Sequence, residues 1–345
     1  NKQRKNMNNL KKIGLTALAA SLVSTSVFAG EMTVSGSASI TVENYSIDQR
    51  NSGKGFSMGN QITFSGSSEL DNGMNVSVSF VIDEFDNAET AANAAANTAD
   101  SGSIFDAHSV TVSSDAMGTL VFHGEGGDSA QAAVGDTAAG NIWDNFDGTA
   151  KKIGEATVSD ALVSNGGGNN TFFYTSPDVM EGLSITASWN PAAAAGVNSM
   201  LGLGATYTGI DGLTLSYASL DIEGHLTTAE GDETALKASY AYGPVTVSYS
   251  NFSTEVGAAT ASTDLEMTSY GISYTVSDEL SVTYGTEESD AGDTSVDAEY
   301  EGFSVAYTAG GMTISAAMYE GENTGHANTA GDDIEYWDVG ASFAF

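Results

Sequence analysis

Asp71-Asn72-Gly73, then Met74-Asn75-Val76-Ser77-Val78-Ser79-Phe80-Val81-Ile82: a tight turn runs straight into nine residues of period two. In an extended chain Met74, Val76, Val78, Phe80 and Ile82 point one way, and Asn75, Ser77, Ser79 and Val81 the other. One face is greasy and the other is small and mostly polar. The same division recurs outward from this point. Leu183, Ile185, Ala187 and Trp189 alternate with Ser184, Thr186 and Ser188, and Leu213, Leu215 and Tyr217 with Thr214 and Ser216. Val245, Val247 and Tyr249 alternate with Thr246 and Ser248, and Met312, Ile314, Ala316 and Met318 with Thr313 and Ser315.

Two kinds of connection take turns between these segments. Tight ones fall at Asp71-Asn72-Gly73, Ala116-Met117-Gly118, Ile210-Asp211-Gly212, Tyr242-Gly243-Pro244, Ser277-Asp278-Glu279 and Ala309-Gly310-Gly311, with Pro177 to Gly182 slightly longer. Long, acidic ones fall near 44–57, 83–104, 124–170, 190–199, 223–232, 254–264, 288–296 and 321–332. That pattern predicts sixteen strands joined by seven tight turns and eight loops. Short turns at one rim and long loops at the other are the mark of a transmembrane, antiparallel, up-and-down β-barrel, all-β in class. An even count places both chain ends on the short-turn side. A soluble barrel would have to fill its interior with side chains, and about sixteen strands enclose far too much space for that.

Composition narrows the choice further. Residues 1–29 hold Lys11 and Lys12, an apolar run from Ile13 to Val23, and small residues at Val27 and Ala29. This is the order of a secretory signal peptide cut after Ala29, and Met7 is the more natural start, with residues 1–6 upstream of it. The rest, 30–345, sets 45 acids against Arg50, Lys54, Lys151, Lys152 and Lys237, a balance of −40. Such a chain repels nucleic acid and attracts cations. Cysteine is absent, so neither disulfides nor thiolate metal sites support the fold. Past residue 30 no apolar run has the length of a membrane helix, so strands must do the spanning.

The final strand, Asp333 to Phe345, places Val339, Ala341, Phe343 and Phe345 on one face, and the sequence ends on that phenylalanine. A terminal strand of this kind resembles the assembly signal of bacterial outer-membrane barrels. Thr33-Val34-Ser35-Gly36-Ser37-Ala38, the hairpin from Ile62 through Asp71-Asn72-Gly73 to Phe80, and the step from Gly118-Thr119-Leu120-Val121 through Gly124 to Gly135-Asp136 are similar to segments of the Gram-negative general porins, particularly those of purple photosynthetic bacteria. That resemblance implies a homotrimer in the outer membrane, passing small hydrophilic solutes by diffusion without a reaction or a cofactor. It also implies that the third loop, here 124–170, folds into the lumen and narrows it.

The expected constriction carries Glu125, Asp128, Asp136, Asp144, Asp147, Glu155 and Asp160, with Lys151 and Lys152 beside them. A ring of acids at the narrowest point is the usual way to prefer cations. General porins set an arginine cluster on the wall against such acids. This chain offers only Lys237, whose neighbours Leu236, Ala238 and Tyr240 face lipid, so that it faces the lumen. Trp143-Asp144-Asn145-Phe146-Asp147-Gly148 supplies oxygen ligands and a glycine turn, and structural calcium at Asp144 and Asp147 is what the resemblance implies there. His108, His123, His225 and His326 are scattered and form no catalytic set with Ser and Asp at compelling positions.

Three rivals remain. A substrate-specific channel would show a defined binding cluster along the lumen, a barrel enzyme a catalytic set at the rim, and a plugged adhesive barrel no conductance. The processing expectation can be tested first. N-terminal sequencing of the envelope protein should read from Gly30, and retention of Lys11 and Lys12 would refute the cleavage site.

Overall fold

The computed structural model describes residues 32–46, 55–83, 105–146, 168–191, 199–223, 230–256, 264–292, 296–326 and 333–345. The first half of the chain forms β1 (Thr33–Tyr45), β2 (Gly55–Glu69), β3 (Asn75–Asp83), β4 (Ala107–Ser114), β5 (Gly118–Glu125), β6 (Thr171–Thr175), β7 (Leu183–Asn190) and β8 (Ser199–Ile210). The second half forms β9 (Leu213–Glu223), β10 (Gly231–Tyr242), β11 (Val245–Val256), β12 (Leu265–Thr275), β13 (Leu280–Asp290), β14 (Ala298–Ala309), β15 (Met312–Glu322) and β16 (Ile334–Ala344). Each strand pairs antiparallel with its sequence neighbours, and β1 pairs with β16, which closes the barrel. Sixteen strands and an up-and-down order are as the alternation predicts.

Local chemistry sets the register. In the first tight turn Gly73 adopts φ 78°, a left-handed value that a side chain would disfavour. The Leu70 N–H donates to the Met74 carbonyl at 2.7 Å, and the Met74 N–H donates to Asn72 Oδ1 at 3.1 Å. With the turn fixed, a slip of one residue would turn every apolar side chain of β3 inward, so the alternation and the turn enforce one pairing.

The barrel is inside out relative to a soluble protein. Leu203, Tyr217, Phe303 and Met318 point outward and are 51–71 % exposed. At about 25 cal/mol per Å² of apolar surface, such a face is tolerable only against lipid. Higher on the same outer face of β12 to β16, apolar side chains give way to acids: Glu288 lies opposite Glu299, and Glu301 opposite Glu320. The buried apolar cluster lies within the barrel, where Ile142, Trp143 and Phe146 of the 126–146 segment meet Tyr45, Phe252, Met267, Tyr300 and Tyr336 of the wall.

Closure runs to the last residue. Gly36 N–H donates to the Phe345 carbonyl at 2.9 Å, and Phe345 N–H returns a bond to the Gly36 carbonyl at 3.0 Å. The Phe345 ring lies over Gly36, where an added Cβ would come within 2.7 Å of it. Deleting Phe345 removes both bonds and the outward ring. The folded, membrane-inserted fraction should fall sharply, while Asp144→Asn should leave it at the parent level. Equal folded yields on semi-native gels would contradict this account of closure.

Candidate functional site: the loop seated in the lumen

After β5 the chain turns into the barrel. Gly127 and Gly168 exchange backbone hydrogen bonds and form the neck of the excursion, with the Gly127 N–H to Gly168 carbonyl bond at 3.0 Å. Residues 128–146 then follow the inner wall through two short 3-10 turns, Ala132–Val134 and Ile142–Asn145. The segment 147–167 lies outside the described residues.

The seating is mostly backbone to side-chain hydroxyl. Ala130 N–H donates to Ser188 Oγ of β7 at 2.9 Å, Ala138 N–H to Ser250 Oγ of β11 at 2.8 Å, and Ala139 N–H to Ser269 Oγ of β12 at 2.8 Å. A loop without a ladder of its own must place its N–H groups somewhere, and serines on the lumen face supply the acceptors. Glu287 of β13 takes two more. Thr137 Oγ1 donates to its Oε1, and Trp143 N–H donates to its Oε2 at 2.8 Å. This carboxylate is 2 % exposed, so it belongs to the seat of the loop rather than to the open passage. The tip rests on aromatic rings. Phe146 is fully buried, stacks on Tyr300 of β14 at 5.3 Å and meets Tyr336 of β16 edge-on at 6.4 Å. Tyr45 of β1 donates its hydroxyl to the Asn145 carbonyl at 2.9 Å.

Beyond its neck the described part of the loop, 128–146, is therefore seated on β7 to β14, β16 and β1. The inward rows of β2, β3 and β4 carry Ser57, Gln61, Thr63, Ser77, Ser79 and Thr111, with Val81 opposite Thr63 and the acid Asp83 opposite Gln61.

The expected site residues fall into three groups. Asp128, Asp136 and Asp144 are exposed on a loop whose other side is against the wall, so their carboxylates face the passage. Asn141 Nδ2 donates to Asp136 Oδ1 at 2.9 Å, which fixes that carboxylate. Glu125 is the last residue of β5 and not part of the loop proper, because the ladder continues past Gly124 to pair Glu125 with His108. Lys237 of β10 points to the lumen, where its Nζ donates to the Asp136 carbonyl at 2.5 Å. Asp147, Lys151, Lys152, Glu155 and Asp160 lie outside the described residues. Among the described residues no three Asp, Glu, His or Cys side chains gather in one place, and Asp147 lies outside them.

Wall acids outside the expected set also face the lumen, among them Asp83 of β3, directly opposite the inward Gln61 of β2. Glu43 of β1 and Asp338 of β16 are directly paired across the closing ladder, and Tyr336 donates its hydroxyl to Glu43 Oε2 at 3.3 Å. Parity would have found both, since Glu43 shares a face with Thr41 and Tyr45, and Asp338 with Gly340 and Tyr336.

Glu287→Ala strands the Trp143 N–H and the Thr137 hydroxyl, each a buried group whose loss of partner costs about 1–3 kcal/mol. Limited proteolysis of the folded barrel should then cut within 126–146, where the parent resists. Glu287→Gln, which keeps one acceptor oxygen, should fall between the two. Equal protection of all three would show that the carboxylate does not hold the loop.

A model of the Gram-negative porin family matches residues 14–308. No curated protein sequence matches the chain. Among solved structures, the anion-selective porin from Comamonas acidovorans aligns at TM-score 0.65 and 15 % identity, over 92 % of this chain and 100 % of that one. The in-vitro folded OmpT of Vibrio cholerae, described in its trimer form, aligns at TM-score 0.61 and 12 % identity, again over 92 % and 100 %. An engineered variant of the Rh. blastica porin aligns at TM-score 0.58 and 16 % identity, over 91 % and 100 %. At these identities the structures establish the barrel, whereas the family match covers most of the sequence itself. The chain belongs to the Gram-negative porins.

Proposed function

We propose that this outer-membrane porin channel passes small hydrophilic solutes and ions by diffusion and prefers cations. The observation that carries the preference is the balance of charge facing the passage. Lys237 is the only lysine or arginine among the described residues, and its ammonium is engaged with the loop's own Asp136 carbonyl. Against it stand the exposed carboxylates of Asp128, Asp136 and Asp144 on the loop, with Glu43 and Asp338 on the wall beside the loop tip. Low-dielectric walls focus such a field into the lumen. One fixed charge about 4 Å from a passing ion is worth about 1 kcal/mol even in bulk-like water, enough for a several-fold preference.

Fold does not set the sign of selectivity; the residues at the site do. A relative described as anion-selective can therefore share this barrel while the charges here favour the opposite ion. Homotrimeric assembly goes with this reading, and one structural relative is described as a trimer. Calcium at Asp144 and Asp147 remains the family-level proposal for the loop. A shift in loop protease resistance on chelation would reveal it.

Reversal potentials of reconstituted channels under a KCl gradient test the preference. The parent should be cation-selective, most strongly in dilute salt, because exposed charges beyond about 8–10 Å are screened at physiological strength. Asp144→Asn, and Glu43→Gln with Asp338→Asn, should each reduce the permeability ratio, whereas Asp333→Asn at the loop-side rim should change it little. An anion-selective parent would refute the proposal.

A further inference from the structure

We infer that the width of the passage is set by a ledge of bare backbone in the wall, and that Gly271 and Gly285 are its size-determining residues. The inference rests on the channel reading above. Gly271 of β12, Gly285 of β13 and Gly302 of β14 are directly opposed across three consecutive strands. All three share the parity of Ser269, Glu287 and Tyr300, which contact the loop, so all three face inward. Glycine inside a strand gives up more chain entropy on folding than alanine and offers no side chain to pack. Three in one row call for a reason, and the usual one is close approach of another backbone.

At two of the three the approaching backbone is the loop. A Cβ on Gly271 would overlap the Ala138 carbonyl oxygen, and a Cβ on Gly285 would overlap the Ala139 methyl first and then the Ala139 Cα, at 2.9 Å. At Gly302 the overlap would be with the Met318 carbonyl and the ring of Tyr319, which itself packs against the buried cluster at the loop tip. Hydroxyls flank the ledge and hold the loop down on it. Ser250 and Ser269 accept the Ala138 and Ala139 N–H groups, and Ser248 donates to the Ala138 carbonyl at 3.5 Å. No layer of side chains separates loop and sheet at this point. The strands themselves cannot recede, because ladders on both sides fix β12 and β13. Any atom added to the ledge must therefore move the loop towards the barrel axis, and the displaced volume comes out of the passage.

Single-channel conductance in planar bilayers, together with liposome swelling in a graded series of neutral sugars, tests this. Gly285→Ala should lower conductance and lose the largest sugars that the parent admits. Adding Ala139→Gly removes the methyl at the closest point and leaves the Ala139 Cα as the nearest atom, at 2.9 Å, so the double variant should regain part of the lost conductance and cut-off. Gly271→Ala should narrow the passage as well, but Ala139→Gly should not rescue it, because its collision is with a carbonyl oxygen. Gly66→Ala makes the same chemical change on the outer face, where nothing lies within 4 Å, and should match the parent. The inference is overturned if Gly285→Ala keeps the parent conductance and cut-off, widens the passage, or narrows it in a way that Ala139→Gly does not relieve. Should Gly285→Ala fail to fold, the double variant must still fold and conduct, and its failure would also overturn the inference. A parent that forms no channel would instead overturn the channel reading, and this inference with it.

Discussion

A backbone N–H or C=O left bare in hydrocarbon costs several kcal/mol, and every other property of this chain follows from meeting that constraint. The solution is a ladder without an edge, closed by the pairing of β1 with β16 from Ser37–Ala344 to Tyr45–Tyr336. Closure fixes the polarity of the strands. One face must meet lipid, so the aromatic and branched side chains point out, and serine, threonine and glycine are left to line the interior. The apolar cluster of a soluble domain has nowhere to form except where the chain folds back into its own lumen.

That return is the second layer of organisation. The loop is held by many modest interactions rather than one strong one. Hydrogen bonds such as those to the wall hydroxyls and to the Glu287 side chain are worth about 0.5–1.5 kcal/mol each. The aromatic platform of Tyr300 and Tyr336 adds burial of Phe146 at the tip. The carboxyl-bearing residues Asp128, Asp136 and Asp144 of this loop are exposed.

The barrel was legible from local pattern because its rule is local. Period two in 74–82 or 312–318, with Gly73 or Gly311 at the turn, needs no knowledge of distant partners. The inserted loop could be identified by its length and its lack of period, and Lys237 could be oriented by its neighbours. The seat itself could not, because it joins residues far apart in sequence: Ala138 to Ser250, 112 positions on, and Trp143 to Glu287, 144 positions on. Glu287 is instructive. In sequence it stands in the run Glu287-Glu288-Ser289-Asp290, next to a long acidic loop. One residue of parity separates Glu287, buried beneath the loop, from Glu288 on the outer face. Glu125 shows the limit of boundaries, since a ladder ends where pairing ends and not where composition changes.

The path of the loop also has a mechanical meaning. A tube one sheet thick is stiff along its strands but soft towards flattening, because its cross-section can become oval with only small changes in twist between neighbours. Here an internal rib is pinned at Ser188 of β7, at Lys237 of β10, at Ser269 of β12, at Glu287 of β13 and at Tyr45 of β1, on the far side of the closing seam. Ovalising the barrel would change the distances between those anchor points and strain the rib. The segment that narrows the passage thus also keeps the tube round under the lateral pressure of the bilayer.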